Sequence, residues 1–299
     1  MGLVDIIREV KGGIGAEPGA ALFEHVDAVR YGGKEILPMK PDDYVRASGL
    51  YNLCPREEAL AARYEIVRID KVHPMLQITF DIGHMFHRLY RDWYYGPMGL
   101  WQGAWRCIRC GWDTDAAGLS EAPVRKKSSG KLAVMPRECP SCGGRGFPDG
   151  SGEDGFITFK EWQVVNDELG ISGHPDGWYA AMGYKRRMVD LKSHGANRFS
   201  ARNTLRKGHD IQVWIYQEAC GDELGAVWYM NKSPWGDYSN FIRPVDVPFN
   251  VKGFDMYVRR PVEELRNALN GGKVPDRTCV TKDCPRALDC QLVDICFGE

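Results

Sequence analysis

The chain has 299 residues, 43% of them apolar, with 39 basic and 40 acidic side chains and a net charge of −1. This is enough for one large domain or two small ones around a buried core. Balanced charge excludes a globally basic nucleic-acid binder, so any basic binding face must be local.

The first residues, MGLVDIIREVKGG, lack the apolar centre of a secretory signal, and Ile6 stands where a myristoylation site requires Ser or Thr. No run approaches the ~18 apolar residues of a membrane helix. A soluble, cytoplasmic protein with no membrane partner is expected, and its ten cysteines are then better explained as metal ligands than as disulfides. Residues 1–40 are Gly-rich and weakly patterned, a lead-in that covers something else. From DDYVRASGLYNLCPREEALAARYE the pattern turns helical around a turn from Ser48 to Cys54. FDIGHMFHRLYRDWYYG (80–96) predicts a helix, with Ile82, Met85, Phe86, Leu89 and Trp93 at helical spacing. Residues 98–153 are rich in Gly, Pro, Ser and Cys without a long periodic segment, and read as an insertion. Strands follow at 156–165, 176–182 and 186–192, the last two joined at Gly183–Tyr184. GHDIQVWIYQEACG predicts a helix, GAVWYMNKS a strand, and FDMYVRRPVEELRNALNGG a helix that Pro261 starts or kinks and Gly271–Gly272 stop. The order points to a mixed α/β sheet flanked by helices, one domain over residues 1–299. The basic clusters Arg125–Lys127, Lys185–Arg187 and Arg206–Lys207 read as solvated faces.

One segment, SGHPDGWYAAMGYKRRMVDLKSHG (172–195), carries chemistry. In a strand, residues two apart share a face, so Asp190 and Lys192 point together while Leu191 enters the core. A hairpin would bring Asp176 beside Asp190. Two carboxylates at one point repel unless a cation sits between them, and oxygen-rich sites suit Mg²⁺ or Mn²⁺. A lysine beside such a metal can orient water. An Asp–Lys ion pair on a surface hairpin is the bland alternative. His174 serves either the turn or the metal, Glu161 could add an acid, and His84 is expected to turn away from His87.

Two further pairs lie at helical i, i+4 spacing: Gly83 with His87, upstream of the strands, and Gln212 with Tyr216, on the helix after Asp-x-Lys. The ordered set Gly83–His87, Gly173–Asp176, Asp190–Lys192, Gln212–Tyr216 resembles the RecB-like nucleases of the PD-(D/E)XK superfamily, over roughly residues 45 to 296. The resemblance implies a restriction-endonuclease-like core in which His87, Asp176 and Asp190 bind the catalytic Mn²⁺ or Mg²⁺ and Lys192 acts on the attacking water. It implies that Gln212 and Tyr216 support the site or contact DNA.

The cysteines fall into two groups. Cys107-x2-Cys110 and Cys139-x2-Cys142 form two knuckles, each followed by glycine. Four thiolates suit tetrahedral Zn²⁺, which would supply most of the folding energy of a polar, zinc-ribbon-like insertion and act independently of catalysis. The second group is Cys279, Cys284, Cys290 and Cys296, with Cys54 far upstream. One remote cysteine plus a terminal cluster resembles the iron–sulfur staple of AddB-type and CRISPR-associated RecB-like nucleases, which implies a [4Fe–4S] cluster closing residues 279–296 onto Cys54. The resembled tail spaces its last three cysteines x2 then x5; here the spacings are x4, x5 and x5. Cys290 and Cys296 form the terminal x5 pair, while Cys279 and Cys284 compete for the remaining place. Cys220 reads as a buried apolar thiol.

The expected activity is a metal-dependent deoxyribonuclease, an exonuclease directed to single strands or free ends in recombination, repair, phage or CRISPR DNA processing. The alternatives are an endonuclease, a non-catalytic DNA-end-binding or adaptor protein on the same fold, and an all-zinc scaffold. The chain has no G-x-x-x-x-G-K-[ST] sequence, so any unwinding must come from a helicase or recombination partner.

Overall fold

The structure, a computed structural model, describes residues 34–70, 74–114, 132–146, 155–182, 185–200, 205–206, 208–233 and 240–298. The lead-in up to residue 33, the Gly183–Tyr184 turn, Lys207 and the Arg125–Lys127 cluster lie outside the described residues. Strands β1 (Lys34–Ile36) and β2 (Val45–Arg46) precede a 3₁₀ turn, Ala47–Asn52. Helix α1 (Pro55–Arg63) starts on proline and carries Glu57 and Glu58 in its first turn and Arg63 in its last, an order that complements the helix dipole. After β3 (Arg68–Asp70), α2 (Pro74–Arg88) runs into a π-helical turn, Leu89–Tyr95. The strands β4 (Trp101–Cys107), β5 (Ala133–Val134), β6 (Ile157–Lys160), β7 (Val164–Asn166), β8 (Ile171–Gly173), β9 (Gly177–Tyr179) and β10 (Arg187–His194) follow. Then come α3 (Ala196–Ser200), α4 (His209–Cys220), β11 (Leu224–Asn231) and β12 (Ile242–Pro248). The chain ends in α5 (Val251–Phe254), a π-helical turn Asp255–Arg259, α6 (Arg260–Leu269), α7 (Pro285–Leu288) and α8 (Val293–Gly298).

The main sheet has the order β12-β11-β10-β9-β4-β5, and β6 also pairs with β4. It is mixed. β10 and β11 are parallel, joined through α4 as a crossover, and the other pairs are antiparallel. Smaller sheets, β2-β8-β7 and β1-β3, lie beside it. Period-two alternation splits β10 and β11 between two cores. Met188, Val227 and Tyr229 pack with Ile211, Val213, Ile215 and Tyr216 of α4. Val189, Leu191, Ala226, Trp228 and Met230 pack with Tyr90, Trp101 and Trp105 on the opposite face. Leu191 is fully buried, as the alternation requires.

Four details depart from the sequence reading. β4 lies inside the stretch read as an insertion, yet pairs with β9 in the main sheet. The run 156–165 is broken at Glu161 into β6 and β7, which join different sheets. β8 has only three residues, too few for a periodic signal. β12 contains Pro244 and Pro248 and occupies the sheet edge, where a missing N–H is tolerated. Among the described residues no helix is long and apolar enough to cross a membrane.

Candidate active site

Two glycines set how closely the site's elements approach. A Cβ on Gly83 of α2 would lie 3.0 Å from Ser193 Oγ of β10, so this helix lies tight on the strand, and His87, one turn on, reaches Asp176 in the loop before β9. A Cβ on Gly173 would fall 2.5 Å from Tyr216 Cε1 and 2.8 Å from Ala47 Cβ. Glycine there lets the Tyr216 ring lie against β8 just before the loop that carries Asp176.

The six polar residues singled out from sequence form a connected chain of contacts. His87 Nδ1 lies 3.0 Å from Asp176 Oδ1. Asp176 Oδ2 accepts the Leu191 N–H at 2.8 Å. Lys192 Nζ sits 2.6 Å from Asp190 Oδ2 and donates to Gln212 Oε1 at 3.0 Å. Gln212 Nε2 donates to Tyr216 Oη at 2.8 Å, and Tyr216 Oη donates to the His174 carbonyl at 3.2 Å. His174 itself is exposed, so its part is played by its backbone in the turn. Glu161 is exposed between β6 and β7. His84 does not turn away: its ring stands edge-on to His87 with centroids 6.2 Å apart, because residues three apart on a helix are neighbours.

The two carboxylates are driven apart in acidity. Burial pushes Asp176 up, but the nearby His87, Arg91 and Lys192 outweigh it and hold this carboxyl well below the ordinary range. Burial raises Asp190, the Lys192 ammonium opposes, and the negative Asp176 adds to the rise; the net direction is upward. Burial likewise raises the Tyr216 phenol far above its usual value, so it remains a neutral donor. Asp190 is 1% exposed, and its Oδ2 has the Lys192 contact but no aligned hydrogen bond. A buried, under-satisfied carboxylate oxygen beside a second carboxylate and an imidazole is a donor set that fits a divalent cation. Asp176 touches His87 and accepts the backbone N–H next to Asp190, while Asp176 and His87 act on Asp190 through their charge. Among the described residues, only the four cysteines of the knuckles bring three or more metal-type donors all within 4.8 Å of one another.

Residues missed from sequence complete the site. Arg91 Nη1 reaches Asp176 Oδ1 at 3.4 Å, and Trp101 Nε1 donates to the Asp176 carbonyl at 3.2 Å. Arg91 stands four residues after His87, so helical spacing is a usable signal for it; Trp101 has none, since it lies in the Gly- and Cys-rich stretch without periodicity.

Cys107, Cys110, Cys139 and Cys142 form the four-thiol group. Cys107 Sγ lies 3.8 Å from Cys142 Sγ and Cys110 Sγ 3.6 Å from Cys139 Sγ. Each knuckle turns back through a backbone bond, Gly111 N–H to Cys107 O and Gly143 N–H to Cys139 O, both 2.9 Å. The Trp112 N–H, aimed at its sulfur, leads in lowering the Cys110 thiol to about 6. In the second group, Cys54, Cys279, Cys290 and Cys296 line one cavity together with Arg56, Arg277 and Arg286. Arg56 Nε donates to Cys296 Sγ at 3.2 Å. The Cys284 Sγ accepts the Ala287 N–H at 3.4 Å, capping α7, and touches the group through the Cys279 thiol without lining the cavity itself. Burial raises the Cys220 thiol to about 12.

No family model matches the chain, and no curated protein matches it. Among solved structures it is similar to an alkaline exonuclease (LHK-Exo) from Laribacter hongkongensis, at 8% identity and a TM-score of 0.29, over 34% of this chain and 50% of that one. It is also similar to a protein described as SSO0001, at 16% identity and a TM-score of 0.25, over 40% and 51% of the two chains. The chain thus spans about half the length of each.

Proposed function

We propose that the chain is a metal-dependent deoxyribonuclease of the RecB-like PD-(D/E)XK type, acting on single strands or free ends. The observation that supports this most is the contact chain from His87 through Asp176 and from Asp190 through Lys192 to Gln212 and Tyr216. It gathers two carboxylates, an imidazole and a lysine from three separate elements. A surface ion pair would not bury Asp190 to 1% exposure.

Asp176, Asp190 and His87 are the residues that would hold Mn²⁺ or Mg²⁺; imidazole beside carboxylate leans toward Mn²⁺. The cation, when bound, supplies charge for a scissile phosphate and lowers the pKa of water. The Leu191 N–H fixes the Asp176 carboxylate plane. Lys192, held by Gln212, keeps its ammonium beside Asp190, where it can orient the attacking water and favour negative charge developing on the phosphate. Tyr216 fixes Gln212 and, through the His174 carbonyl, the loop that carries Asp176.

For the thiols we assign Zn²⁺ to Cys107, Cys110, Cys139 and Cys142. Thiolates about 2.3 Å from a tetrahedral zinc stand about 3.8 Å apart, close to the separations found. We assign a [4Fe–4S] cluster to Cys54, Cys279, Cys290 and Cys296. No three of their sulfurs lie all within 4.8 Å of one another, a placement that suits four corner irons better than one ion, and Arg56, Arg277 and Arg286 in the same cavity complement the net negative charge of a thiolate-bound cluster.

The test is cleavage of 5′- and 3′-labelled linear single strands in Mn²⁺, with a closed single-stranded circle as control. Shortening of the linear strand with the circle intact is the expected result. Cutting of the circle would make the protein an endonuclease. Binding without any cleavage in Mn²⁺ or Mg²⁺ would make it a DNA-end-binding protein and end the catalytic reading.

A further inference from the structure

We infer that Arg91 is a positioning residue of this site and that strand β6, from the cysteine-bearing side of the sheet, holds it in place; the inference rests on the nuclease reading. Arg91 leaves the π-helical turn four residues after His87 and is 7% exposed. Its Nη1 and His87 Nδ1 approach the same oxygen, Asp176 Oδ1. With the Leu191 N–H on Oδ2, three donors surround this carboxylate, which has about four lone-pair sites. Its plane is fixed while room for a further ligand remains.

Arg91 is itself seated. Its guanidinium stands over the Phe159 ring of β6, 4.5 Å from the centroid. The next residue, Asp92, is 3% exposed and accepts from Thr158 Oγ1 at 2.6 Å and from the Phe159 N–H at 3.2 Å. Two consecutive residues of the turn therefore grip two consecutive residues of β6. β6 pairs with β4 from Ala104 to Cys107. β4 in turn carries Trp101, fully buried, whose indole holds the Asp176 carbonyl. Asp176 is thus braced at its backbone by β4 and at its carboxylate by a guanidinium resting on β6. A guanidinium this buried is costly to desolvate; the carboxylate and the ring face offset that cost. At this depth it is shielded from a DNA backbone, so its work is done on Asp176.

The experiment uses the full chain and the variants Arg91→Met, Arg91→Lys and Phe159→Leu. Mn²⁺ affinity is followed by electron paramagnetic resonance, kcat and KM by cleavage of a linear oligonucleotide, and folding by thermal melting. Groups that orient metal ligands typically contribute about 10–100-fold to affinity or activity. Arg91→Met is expected to weaken Mn²⁺ binding and lower kcat by that factor, with KM for DNA unchanged. Phe159→Leu should show a smaller loss of the same kind, and Arg91→Lys should recover part of it. Where Arg91→Met does not fold, the other two variants decide. Wild-type Mn²⁺ affinity and kcat in Arg91→Met, or a raised KM alone, overturns the inference while leaving the nuclease reading standing. Wild-type behaviour of Phe159→Leu removes the role of β6. A wild-type chain that neither binds Mn²⁺ nor cuts DNA removes the nuclease reading, and this inference with it.

Discussion

Asp176 accepts the backbone N–H of Leu191 at 2.8 Å, so the carboxylate of one strand's leading loop is fixed to the peptide that separates Asp190 from Lys192. The two acids are positioned by the sheet and not by flexible side chains alone. Their opposite shifts follow: the one surrounded by donors is pulled down, and the one that is fully buried is pushed up.

That asymmetry makes a stability prediction. A raised folded-state pKa means that ionised Asp190 opposes folding above the unfolded carboxylate value of about 3.9. Asp190→Asn should therefore raise the metal-free melting temperature at pH 7, by roughly 2–4 °C per kcal/mol recovered. The gain should fade as pH falls toward about 4, where the unfolded carboxylate is also protonated. The same variant should have no cleavage activity. Calorimetry across pH checks it, and a metal-free Asn variant less stable than wild type at pH 7 would contradict the assigned direction.

Lys192→Ala separates chemistry from assembly. It should keep Mn²⁺ and DNA binding but lose turnover by about 10²-fold or more, because its role lies in the transition state. DNA binding by the variant should weaken with salt as phosphate contacts are lost. Wild-type kcat in this variant would remove lysine from the mechanism.

The cysteine groups are predicted to carry different metals. Cys107→Ser with Cys142→Ser should remove one zinc per chain and leave iron unchanged, as read by elemental analysis. Cleavage should fall as well, because β4 carries both Cys107 and the Trp101 that braces Asp176. Full activity in the zinc-free variant would restore the independence expected from sequence.

Anaerobically purified protein should be brown. Cys290→Ala should bleach it, whereas Cys284→Ala should not, since the Cys284 sulfur is engaged by the Ala287 N–H as the cap of α7 and meets the group only through Cys279. Loss of colour in Cys284→Ala alone would exchange the places of Cys284 and Cys279.

The two motif glycines should behave differently. In Gly173→Ala the new methyl meets the Tyr216 ring and the Ala47 methyl, both packed in the core; a cost of about 1–3 kcal/mol is expected from such overpacking. In Gly83→Ala the only near atom is the Ser193 hydroxyl, which can rotate. Alanine also gains about 1 kcal/mol in helix propensity, so this variant should melt close to wild type. Equal losses in the two would mean that α2 cannot shift even slightly on β10.

Sequence alone determined the local parts. Side-chain alternation in β10 required Leu191 to be buried with Asp190 and Lys192 on one face, and helical spacing paired Gln212 with Tyr216. The C-x2-C spacing gathered each thiol pair, since two residues between cysteines make one tight turn. These are short-range consequences of backbone geometry. The tertiary structure decided what crosses long stretches of chain. It put β4 into the main sheet, placed Trp101 on Asp176, seated Arg91 on Phe159, and drew Cys279 into a cavity with Cys54 while leaving Cys284 as a cap. None of these has a periodic signature, because each depends on which strand edges and ring faces meet when separate elements bury their apolar sides together.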